Sequence, residues 1–558
     1  MKYKLNKLVI VGGGINGWFT AGYMKNKHPW LDVKIIESDT IPIIGVGESV
    51  VPQVNDLLET LGLEERDWMS YTNSIYKLGN KFVGWSSPGK RHHVTDHWNA
   101  PKEDVQYYSF SFALPEKHLT SSFYNQLTTD DYFTNSKGEA GVDDKWNDYW
   151  LQLVREGKRN PKEASQDTHE QHYLMDGNKA PFDMNDNPLL GDWQSYSFHL
   201  DANRFPELIR DKVALPKGVQ HIIGDVKEII KDEDGYITKL LLEDGTEHEA
   251  DLFVDCSGLH KVLVGGMNNE WHDYDFIHTQ DAVVGPLKYK DVYNEFRPYT
   301  QTYAQDEGWN FIISLYNRMG SGYIFDRTEI SPEDAMEKFK KYWEGYEFIK
   351  PPKHISWKAG RMVTPWNKNV LSIGMSHSFI EPMEGNAMYI SQWGIQLLDR
   401  FVNRQQEDDE IISAGSIHAY NKSMNGLEDH VANFIAYHYT LTNREDTNFW
   451  KKQKEYGKKH NHKEAIWKEY KNPYNQIGNS LYPDYMWMTV ATAMGHFDDT
   501  VELNTKKELM NKADIMFEYC RKLSEAQGEM APHAYDWHRK FLFNGKSHEE
   551  VLEEALKK

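Results

Sequence analysis

The chain has 558 residues, which is enough for one large elaborated domain or for several smaller ones. Its 63 basic and 84 acidic residues give a formal net charge of −21, and this acidic surface disfavours nucleic acid or an anionic membrane as a partner. Hydrophobic residues make up 39% of the chain and aromatic residues 13%, which excludes disorder as the overall state.

Cysteine content and hydropathy indicate the cellular setting. The two cysteines, Cys256 and Cys520, are too few for a disulfide scaffold or a cysteine-rich metal site, and they favour a reducing compartment. No apolar run approaches the roughly 18 residues of a membrane span, and residues 1–8 are too polar for a signal peptide. These features predict a soluble, cytoplasmic protein with no membrane and no nucleic acid among its partners.

The first forty residues predict a βαβ unit. An apolar strand at 7–11 leads into Gly12-Gly13-Gly14-Ile-Asn-Gly17, a helix follows over 18–27, and a second strand over 33–37 ends at Glu37. This pattern is a dinucleotide-binding fingerprint, in which the glycines let the backbone approach a pyrophosphate and the acidic residue accepts hydrogen bonds from the adenosine ribose. The alternative, a strand–turn–helix that binds no nucleotide, is disfavoured because every feature of the fingerprint is present.

The remaining elements are taken in chain order. Residues 50–70 predict helix with Leu57, Leu58 and Leu61 on one face, and the polar stretch from 90 to 190 predicts loops around a few short strands. Residues 221–242 predict an antiparallel meander with turns at Asp234-Gly235 and Asp244-Gly245, and this meander leads into a buried strand at 249–258. Further strands follow at 281–327 and 369–374, and the pattern is helical from 388 to 558. The predicted fold class is α/β with a helical C-terminal third.

Several longer runs resemble one family. The stretches 249–258 and 369–374 resemble the later strands of glutathione-reductase-type FAD folds. Five further segments resemble the flavin-dependent tryptophan-type halogenases, in family order between about residues 8 and 450: Gly45-Val-Gly-Glu48-Ser49-Val-Val-Pro52, Tyr76-Lys77-Leu-Gly, Tyr196-Ser-Phe-His199-Leu-Asp201-Ala202, Ile373-Gly-Met-Ser-His-Ser-Phe-Ile-Glu-Pro382-Met-Glu384, and His438-Tyr-Thr-Leu-Thr-Asn-Arg-Glu445-Asp-Thr-Asn-Phe449-Trp450.

The resemblance implies an architecture and a reaction. Residues 1–390 would form a discontinuous FAD-binding module with substrate-side segments around 90–190 and 270–355, and residues 391–558 would form a helical region that closes the substrate site. Reduced FAD, supplied by a separate NAD(P)H flavin reductase, would react with oxygen and a halide ion to give hypohalous acid. A lysine would then guide this acid to an electron-rich aromatic or heteroaromatic, indole-like substrate.

The resemblance also implies the cofactor contacts. They fall on the fingerprint and on four later segments, at Gly12, Gly13, Gly14, Gly17, Glu37, Gly45, Gly47, Glu48, Ser49, Val226, Met375 and Met388.

Two residues are the implied catalytic groups. Lys77 matches the family's essential lysine in the tunnel between flavin and substrate, where an amine can hydrogen-bond hypohalous acid or form a haloamine. From the sequence alone, a lysine beside Tyr76 is more often a solvated surface charge. Glu384 matches the catalytic glutamate, which would polarise the halogenating species or accept the ring proton, and the alternative is that Glu381 or Glu384 caps a helix.

The halide pocket and the substrate pocket differ from the family pattern. Backbone N–H groups of Gly385, Asn386 and Ala387 would bind the halide, and many relatives have Ser-Thr-Gly there. Losing the serine side chain at Gly385 is expected to open space, which favours bromide or iodide over the more strongly hydrated chloride. In the family's Trp-x-Trp-x-Ile-Pro stretch, this chain keeps Trp309, has Phe311 in place of the second tryptophan and has Ser314 in place of proline, so strict tryptophan specificity is not expected.

Three further residues are candidate substrate contacts. Glu445 matches a residue that binds the amino-acid end of tryptophan, and Phe449 and Trp450 match aromatics that stack on indole. Ordinary packing in a helical core is the alternative for the two aromatics. The 24 histidines, including His92, His93, His460 and His462, show no spacing typical of metal ligands and are predicted to be surface residues.

Two other functions stay open at this stage. An FAD-dependent aromatic monooxygenase shares the fold but transfers oxygen to its substrate, and a catalytically inactive flavin-binding protein would keep only the cofactor site. Retention of both Lys77 and Glu384 disfavours each of them.

Overall fold

The computed structural model describes residues 2–41, 45, 47–86, 91–109, 145–190, 196–407, 412–459, 481–482, 484–496, 503 and 505–557. The chain forms two compact units. Unit 1 comprises Met1–Ser74, Leu200–Gln280 and Ile355–Asn433, and unit 2 comprises Ile75–His199, Asp281–His354 and Phe434–Lys558. The sequence analysis placed a boundary at residue 390, whereas the structure has one continuous helix, Ala387–Glu407, through this position, and the helix belongs to unit 1.

The strands of the described residues are numbered in chain order: β1 Lys2–Tyr3, β2 Lys7–Val11, β3 Asp32–Glu37, β4 Glu48–Ser49, β5 Ile75–Lys77, β6 Gly79–Val83, β7 Val105–Ser109, β8 Ser197–Leu200, β9 Gln220–Ile223, β10 Val226–Lys231, β11 Ile237–Leu242, β12 Glu247–His248, β13 Leu252–Asp255, β14 Trp271–Asp273, β15 Asp281–Leu287, β16 Thr300–Ala304, β17 Gly308–Ser314, β18 Met319–Phe325, β19 Lys353–Ser356, β20 Gly360–Met362, β21 Trp366–Asn367, β22 Val370–Ser372, β23 Ser378–Phe379 and β24 Ile412–Ser413.

The α-helices of the same residues are Ile15–Lys27, Asn55–Thr60, Glu65–Tyr71, Val94–Trp98, Lys145–Arg155, Ala164–Thr168, His172–Asp176, Arg204–Ile209, Val292–Glu295, Pro332–Tyr342, Ala387–Glu407, Ala414–Thr440, Asn448–Lys459, Asp484–Ala493, Met510–Met530, Ala534–Phe541 and His548–Leu556. The βαβ unit, the strands of 281–327 and the helical character beyond residue 388 are confirmed among the described residues, although the short strand β24 interrupts the helices.

Unit 1 is built on a sheet in the order β21-β22-β13-β2-β3-β9. Its central strands are short apolar runs that pair in parallel, with Ile10 opposite both Ile35 and Val254. Continuous apolar runs are typical of parallel strands, because both faces of such a sheet are covered. The parallel direction brings the carboxyl ends of β2, β3, β13 and β22 to one edge of the sheet, where the fingerprint and Glu37 lie.

The prediction for β9 is wrong. The sequence analysis assigned residues 221–223 to the antiparallel meander, but β9 pairs in parallel with β3, with His221 opposite Ile35. Only β10, β11 and β12 form the meander. A short apolar run does not encode the direction of its partner, and the break at Gly224 separates β9 from the strands that follow. The Gly224 N–H donates to the Glu37 carbonyl oxygen at 2.9 Å, which ties the end of β9 to the end of β3.

Unit 2 contains a mixed sheet in which strands follow the order β15-β18-β17-β16-β6-β7. The sheet buries a core that includes Val283, Ile312 and Tyr323, and the helix Pro332–Tyr342 adds Phe339 to it. Ser331 caps this helix, because its hydroxyl accepts from the Asp334 N–H at 3.1 Å. In the same unit β5 pairs with β8, with Lys77 opposite Ser197.

Part of the region predicted as loops is helical. The helix Lys145–Arg155 buries Tyr149, Trp150, Leu153 and Val154, whose spacing of one, three and four residues is a helical pattern within a polar stretch. The fully buried Asp167 accepts hydrogen bonds from Trp150, Arg159 and Arg521, and so ties this part of the chain to the helix Met510–Met530. The polar composition of this region pointed to loops, because it does not show that charges such as that of Asp167 are buried and paired within the unit.

The two cysteines and the helix lengths complete the description. Cys256 and Cys520 are both free and buried. Across the described ranges, no helix is both long enough and apolar enough to cross a membrane.

Several histidines of unit 2 are buried and neutral. Burial is the main cause that lowers the pKa of His97, His169 and His199 to about 3. The prediction that histidines lie at the surface is wrong for these three. His199 donates from Nδ1 to the Ser314 carbonyl oxygen at 2.9 Å, and its Nε2 lies 2.9 Å from the Thr300 hydroxyl, so both ring nitrogens are bonded while the ring is neutral.

We predict that unit 2 loses stability in mild acid. The unfolded chain protonates histidine near pH 6.5 and the folded chain only near pH 3, so the unfolded state binds more protons between these values. Stability is therefore unchanged above pH 6.5 and falls below it, by about 2 kcal/mol for each such histidine at pH 5. Thermal unfolding measured from pH 8 to pH 5 checks this. His169→Gln should make the decline shallower, whereas the exposed His92→Gln should not; equal slopes in both variants would contradict the prediction.

Candidate functional site

The fingerprint loop is held by close backbone contacts. Gly12 has a φ of +114°, and a Cβ placed there would lie 2.4 Å from the Cys256 carbonyl oxygen. A Cβ at Gly17 would lie 1.8 Å from the Gly12 carbonyl oxygen. Only glycine fits at these two positions, so the loop after β2 packs directly on β13 and on the helix Ile15–Lys27.

The open part of the loop lies at Gly14. A Cβ built on Gly14 would meet no atom within 4 Å, and the helix Ile15–Lys27 begins directly after it. The first N–H groups of a helix have no acceptor within the helix, and they carry the positive end of its dipole. The space at Gly14 therefore fits an anionic pyrophosphate, as the fingerprint predicts.

Two further glycine contacts, at Gly374 and Gly258, lie on the chain after β22 and β13 in unit 1. Gly374, with a φ of +75°, follows β22, and its Cβ would lie 2.0 Å from Nδ2 of Asn16 in the fingerprint. Met375 Cε lies 3.7 Å from the Cβ position of Gly258. Val226 begins β10 and Met388 is buried in the helix Ala387–Glu407.

Asp255 is a residue of this edge that the sequence analysis did not single out. It is fully buried at the end of β13, and its carboxylate accepts from the Leu263 and Val264 N–H groups at 2.7 and 2.9 Å. It also accepts from the Ser257 hydroxyl at 2.6 Å. Asp255 therefore fixes the loop that packs against Gly12. An aspartate that ends an apolar strand directly before glycine-containing loop residues is the sequence signal for this role.

Gly45, in the predicted segment 45–52, packs against a distant part of unit 1. A Cβ on Gly45 would lie 2.4 Å from Ala202 Cβ. The segments that begin at Gly45 and end at Ala202, both of which carry the resemblance, are therefore in contact. Gly47 has a φ of +148° and Glu48–Ser49 forms β4. Burial of the carboxyl group raises the pKa of Glu48 to about 7, although the residue as a whole keeps part of its surface exposed.

Glu384 has an unusual backbone. It is buried, and its φ of +66° lies in the left-handed region, which costs a residue with a side chain roughly 1–2 kcal/mol. Glu384 lies in the 3-10 turn Met383–Gly385, and Glu381 accepts a hydrogen bond from the Thr279 hydroxyl. The helix Ala387–Glu407 has no acidic residue in its first turn. Strain of this kind is concentrated at functional sites.

The expectation of extra space at Gly385 is wrong. Gly385 has a φ of +63°, and a Cβ there would lie 2.3 Å from the Ser49 carbonyl oxygen. The backbone of β4 therefore occupies the place of a serine side chain. The next two predicted halide residues differ in exposure, since Asn386 is buried and donates from Nδ2 to the Met383 carbonyl oxygen at 3.1 Å, whereas Ala387 is exposed at the helix start.

Lys77 is fully buried in unit 2. It is the last residue of strand β5, and 0% of its surface is exposed to solvent. The interpretation of Lys77 as a solvated surface lysine is therefore wrong. After burial, the positive charge of Lys77 is the next cause that lowers the pKa of His199. Lys77 therefore lies on a strand, away from solvent and near the imidazole of His199.

The predicted substrate-side aromatics of β17 are packed. Trp309 is buried and donates from Nε1 to the Tyr439 hydroxyl at 2.7 Å. The Phe311 ring lies over Gly322 of the neighbouring strand, where a Cβ would approach it to 2.4 Å. The bulk of the two rings is therefore retained in this unit, as expected from the sequence.

Ser314, at the position where the resemblance implied proline, makes several hydrogen bonds. Its hydroxyl accepts from the Arg297 N–H at 3.1 Å and donates to the Glu295 carbonyl oxygen at 3.2 Å. Its carbonyl oxygen accepts from His199. Ser314 therefore joins the end of β17 to the turn at 295–297 and to β8. The sequence analysis noted the substitution but gave no signal for these bonds.

The residues of the segment 445–450 divide into a buried and an exposed set. Phe449 and Trp450 are buried, and Trp450 donates from Nε1 to the Gln305 carbonyl oxygen at 2.8 Å while its ring lies 5.3 Å from that of Trp85. Glu445 is exposed and pairs with Lys454, with a distance of 2.6 Å between Nζ and Oε1. This geometry is that of core packing for the aromatics and of a surface ion pair for Glu445.

Metal ligation has no support in the described ranges, where no group of three or more histidine, cysteine, aspartate or glutamate side chains could hold an ion. His92 is exposed and His93 accepts from Thr95 N–H in a helix cap, while His460 and His462 lie outside the described residues.

The sequence profile of the tryptophan halogenase family matches residues 7–507. The chain belongs to the tryptophan halogenase family. It is therefore an enzyme, a flavin-dependent halogenase. It is 27% identical over 465 residues to tryptophan 6-halogenase ThaL of Streptomyces albogriseolus, an alignment that covers 82% of this chain and 80% of that protein. It is 26% identical over 461 residues to tryptophan 7-halogenase RebH of Lentzea aerocolonigenes, with 82% and 80% covered.

Solved structures support the fold of this halogenase. BrvH, a flavin-dependent halogenase from Brevundimonas sp. BAL3, superposes with a TM-score of 0.78 over 96% of this chain and 99% of its own, at 23% identity. The α/β class with a helical C-terminal region is thereby confirmed.

We predict opposite effects for two neighbouring glycines of this halogenase. Gly14→Val should change the melting temperature little, because a Cβ at this position meets no atom within 4 Å, and should lower FAD affinity at least tenfold, because the side chain fills the space for the pyrophosphate. Gly12→Ala should instead destabilise the fold, because its Cβ meets the Cys256 carbonyl oxygen at a positive φ. Thermal unfolding and FAD titration measure both; a folded Gly14→Val variant that binds FAD like the parent would place the cofactor elsewhere.

We further predict that glycine is more stable than alanine at position 384. Glu384→Gly and Glu384→Ala both remove the carboxylate, and they differ only in the Cβ that is strained at a φ of +66°. The free energy of unfolding should be about 1 kcal/mol higher for the glycine variant than for the alanine variant. At most positions the order is the reverse, because glycine makes the unfolded chain more flexible. Denaturant unfolding of the two variants checks this, and a more stable alanine variant would show that the turn is not strained.

Proposed function

We propose that this halogenase uses reduced FAD, oxygen and a halide ion to form hypohalous acid, and that Lys77 delivers the acid to an electron-rich, indole-like ring. The observation that carries the proposal is the complete burial of Lys77, which a solvated lysine would not show. Family membership supplies the flavin dependence.

The residues of unit 1 fit the flavin cofactor. The loop at Gly12, Gly13, Gly14 and Gly17 offers close backbone approach and an open space at the helix start, and Glu37 ends the adjacent strand. When bound, reduced FAD supplies the activation of oxygen that oxidises the halide. The chain has one dinucleotide fingerprint, which supports a separate NAD(P)H flavin reductase as the source of reduced FAD.

The halide is proposed to bind backbone N–H groups at the start of the helix Ala387–Glu407, at Asn386 and Ala387. Amide groups of a first helical turn point away from the helix and attract anions. The two left-handed residues that precede them, Glu384 and Gly385, redirect the chain into this helix. Consecutive turns of this kind form concave sites for anions.

Lys77 and Glu384 have complementary proposed roles. The Lys77 ammonium or amine would hydrogen-bond hypohalous acid and hold the halogen towards the ring. In the substitution step the carbon–halogen bond forms while the oxygen–halogen bond of hypohalous acid breaks. The ring then loses its proton to the Glu384 carboxylate, and this proton passes on to the released hydroxide, which leaves as water.

The substrate is proposed to be an indole-like ring without a bound amino-acid end. Relatives of this chain are named for tryptophan. Here Glu445, which matches the residue for the amino-acid end, is exposed and paired with Lys454. Phe311 and Ser314 also replace two residues of the family's tryptophan pattern. These features support recognition of the aromatic ring rather than of the charged end of tryptophan.

A panel of indoles, phenols and pyrroles, incubated with reduced FAD, oxygen and each halide, tests the function by mass spectrometry. A halogenated product that requires halide is expected, with indoles without an amino-acid end at least as reactive as tryptophan. An oxygenated product formed without halide would indicate the monooxygenase instead. Absence of oxygen-dependent turnover with every compound would indicate an inactive flavin-binding protein.

We predict that Lys77→Met abolishes regioselective halogenation while oxidation of the halide continues. Methionine matches the length of lysine and is compatible with a buried site, so the loss would reflect the amine. Product is measured by mass spectrometry, and free hypohalous acid by chlorination or bromination of monochlorodimedone.

Lys81 provides a matched control for this variant. It lies on β6 and is also buried, and burial is the main cause that lowers its pKa to about 7. Lys81→Met should keep the regioselective product. Normal product from Lys77→Met, or equal loss from both variants, would remove the specific role of Lys77.

We predict that bromide or iodide outcompetes chloride. Open space at Gly385 does not contribute to this preference, since the Ser49 backbone fills that space. The support consists of a halide site made of backbone N–H groups and of the weaker hydration and easier oxidation of the heavier halides. In a competition at equal halide concentrations, brominated or iodinated product should exceed chlorinated product. Chlorinated product in clear excess would contradict the prediction.

A further inference from the structure

A histidine with no assigned role lies beside the predicted ribose-binding carboxylate. His221 Nε2 lies 2.8 Å from Glu37 Oε2. Both side chains are partly exposed, each at 22%, so a ligand can reach them. The contact was not expected from the sequence, because the two residues are 184 positions apart and β9 was predicted in another sheet.

The other oxygen of the carboxylate faces the fingerprint. A Cβ on Gly13 would lie 2.0 Å from Glu37 Cδ and 2.3 Å from its Oε1. The carboxylate therefore lies directly over the Gly13 backbone, in the space that a side chain would take. One oxygen is bonded to His221, and the second is directed to the loop where the cofactor is expected.

The imidazole is itself held in place. Its ring meets the Trp18 ring edge to face, with 4.8 Å between the centroids and 79° between the planes. Trp18 belongs to the helix that starts at the fingerprint, and its N–H donates to the Gly14 carbonyl oxygen at 3.2 Å. The parallel pairing of β9 with β3 fixes the backbone of His221 beside that of Ile35.

We infer that His221 is a positioning residue for the adenosine half of the flavin cofactor. The His221 N–H at Nε2 donates to Oε2 of Glu37 and restricts rotation of the carboxylate. Oε1 of Glu37 then keeps the orientation in which it can accept from the ribose hydroxyls. This inference rests on the proposed use of FAD, and it concerns only the part of FAD that FMN lacks. A merely structural histidine would affect both flavins alike.

The test compares the affinities of FAD and FMN in the oxidised state, by flavin fluorescence titration of the purified chain. His221→Ala should weaken FAD about tenfold and FMN less than twofold, because only FAD carries adenosine. His221→Gln should restore most of the FAD affinity, since the glutamine amide places a donor near the position of Nε2. Gln220→Ala, on the same strand and bonded to Asp32, is the matched control and should change neither affinity.

A double-mutant comparison isolates the contact. In a Glu37→Ala background, His221→Ala should cause no further loss of FAD affinity. Equal affinities of parent and His221→Ala for FAD, equal losses for FAD and FMN, or additive effects with Glu37→Ala would each overturn the inference. Failure of the parent to bind FAD would instead overturn the proposed function itself, and therefore the two failures are distinguishable.

Discussion

Unit 1 depends on places where backbone approaches backbone or side chain more closely than a Cβ would permit. Gly12 lies against the Cys256 carbonyl, Gly374 against Asn16, and Gly385 against the Ser49 carbonyl. All three have positive φ values. Because β2, β13 and β22 are parallel, the first two contacts occur at the same sheet edge, and they bring the fingerprint and the chain after β22 together. The candidate cofactor site is therefore shaped by absent side chains as much as by present ones.

Much of unit 1 could be predicted from local sequence, because its signals are local. The strand β2, the glycine loop, the following helix and β3 lie within 31 residues and were found from apolar runs and spacing. The direction of β9 could not be predicted, because pairing is a long-range property that a four-residue apolar run does not encode. The helix Lys145–Arg155 was missed for a related reason, since its buried apolar residues lie within a stretch that is polar overall.

For the candidate site, the chemistry of residues was easier to predict than their surroundings. Lys77 and Glu384 were singled out by the family resemblance, but neither the burial of Lys77 nor the left-handed backbone of Glu384 could be derived from composition. Gly385 was misread because the atom that fills its side-chain space belongs to Ser49, more than 300 positions earlier. Ser314 and His221 act through contacts with distant strands, so a single sequence gives no signal for them.

The division of each unit into three chain segments has a consequence for biosynthesis. In unit 1, β2 at residues 7–11 is flanked by β13, and β13 in turn needs β22 at residues 370–372. The six-stranded sheet is therefore complete only after about two-thirds of the chain has been synthesised. At 5–20 residues per second, this takes on the order of half a minute. During this time the edge of β13 that pairs with β22 lacks its partner, and such edges are prone to aggregation.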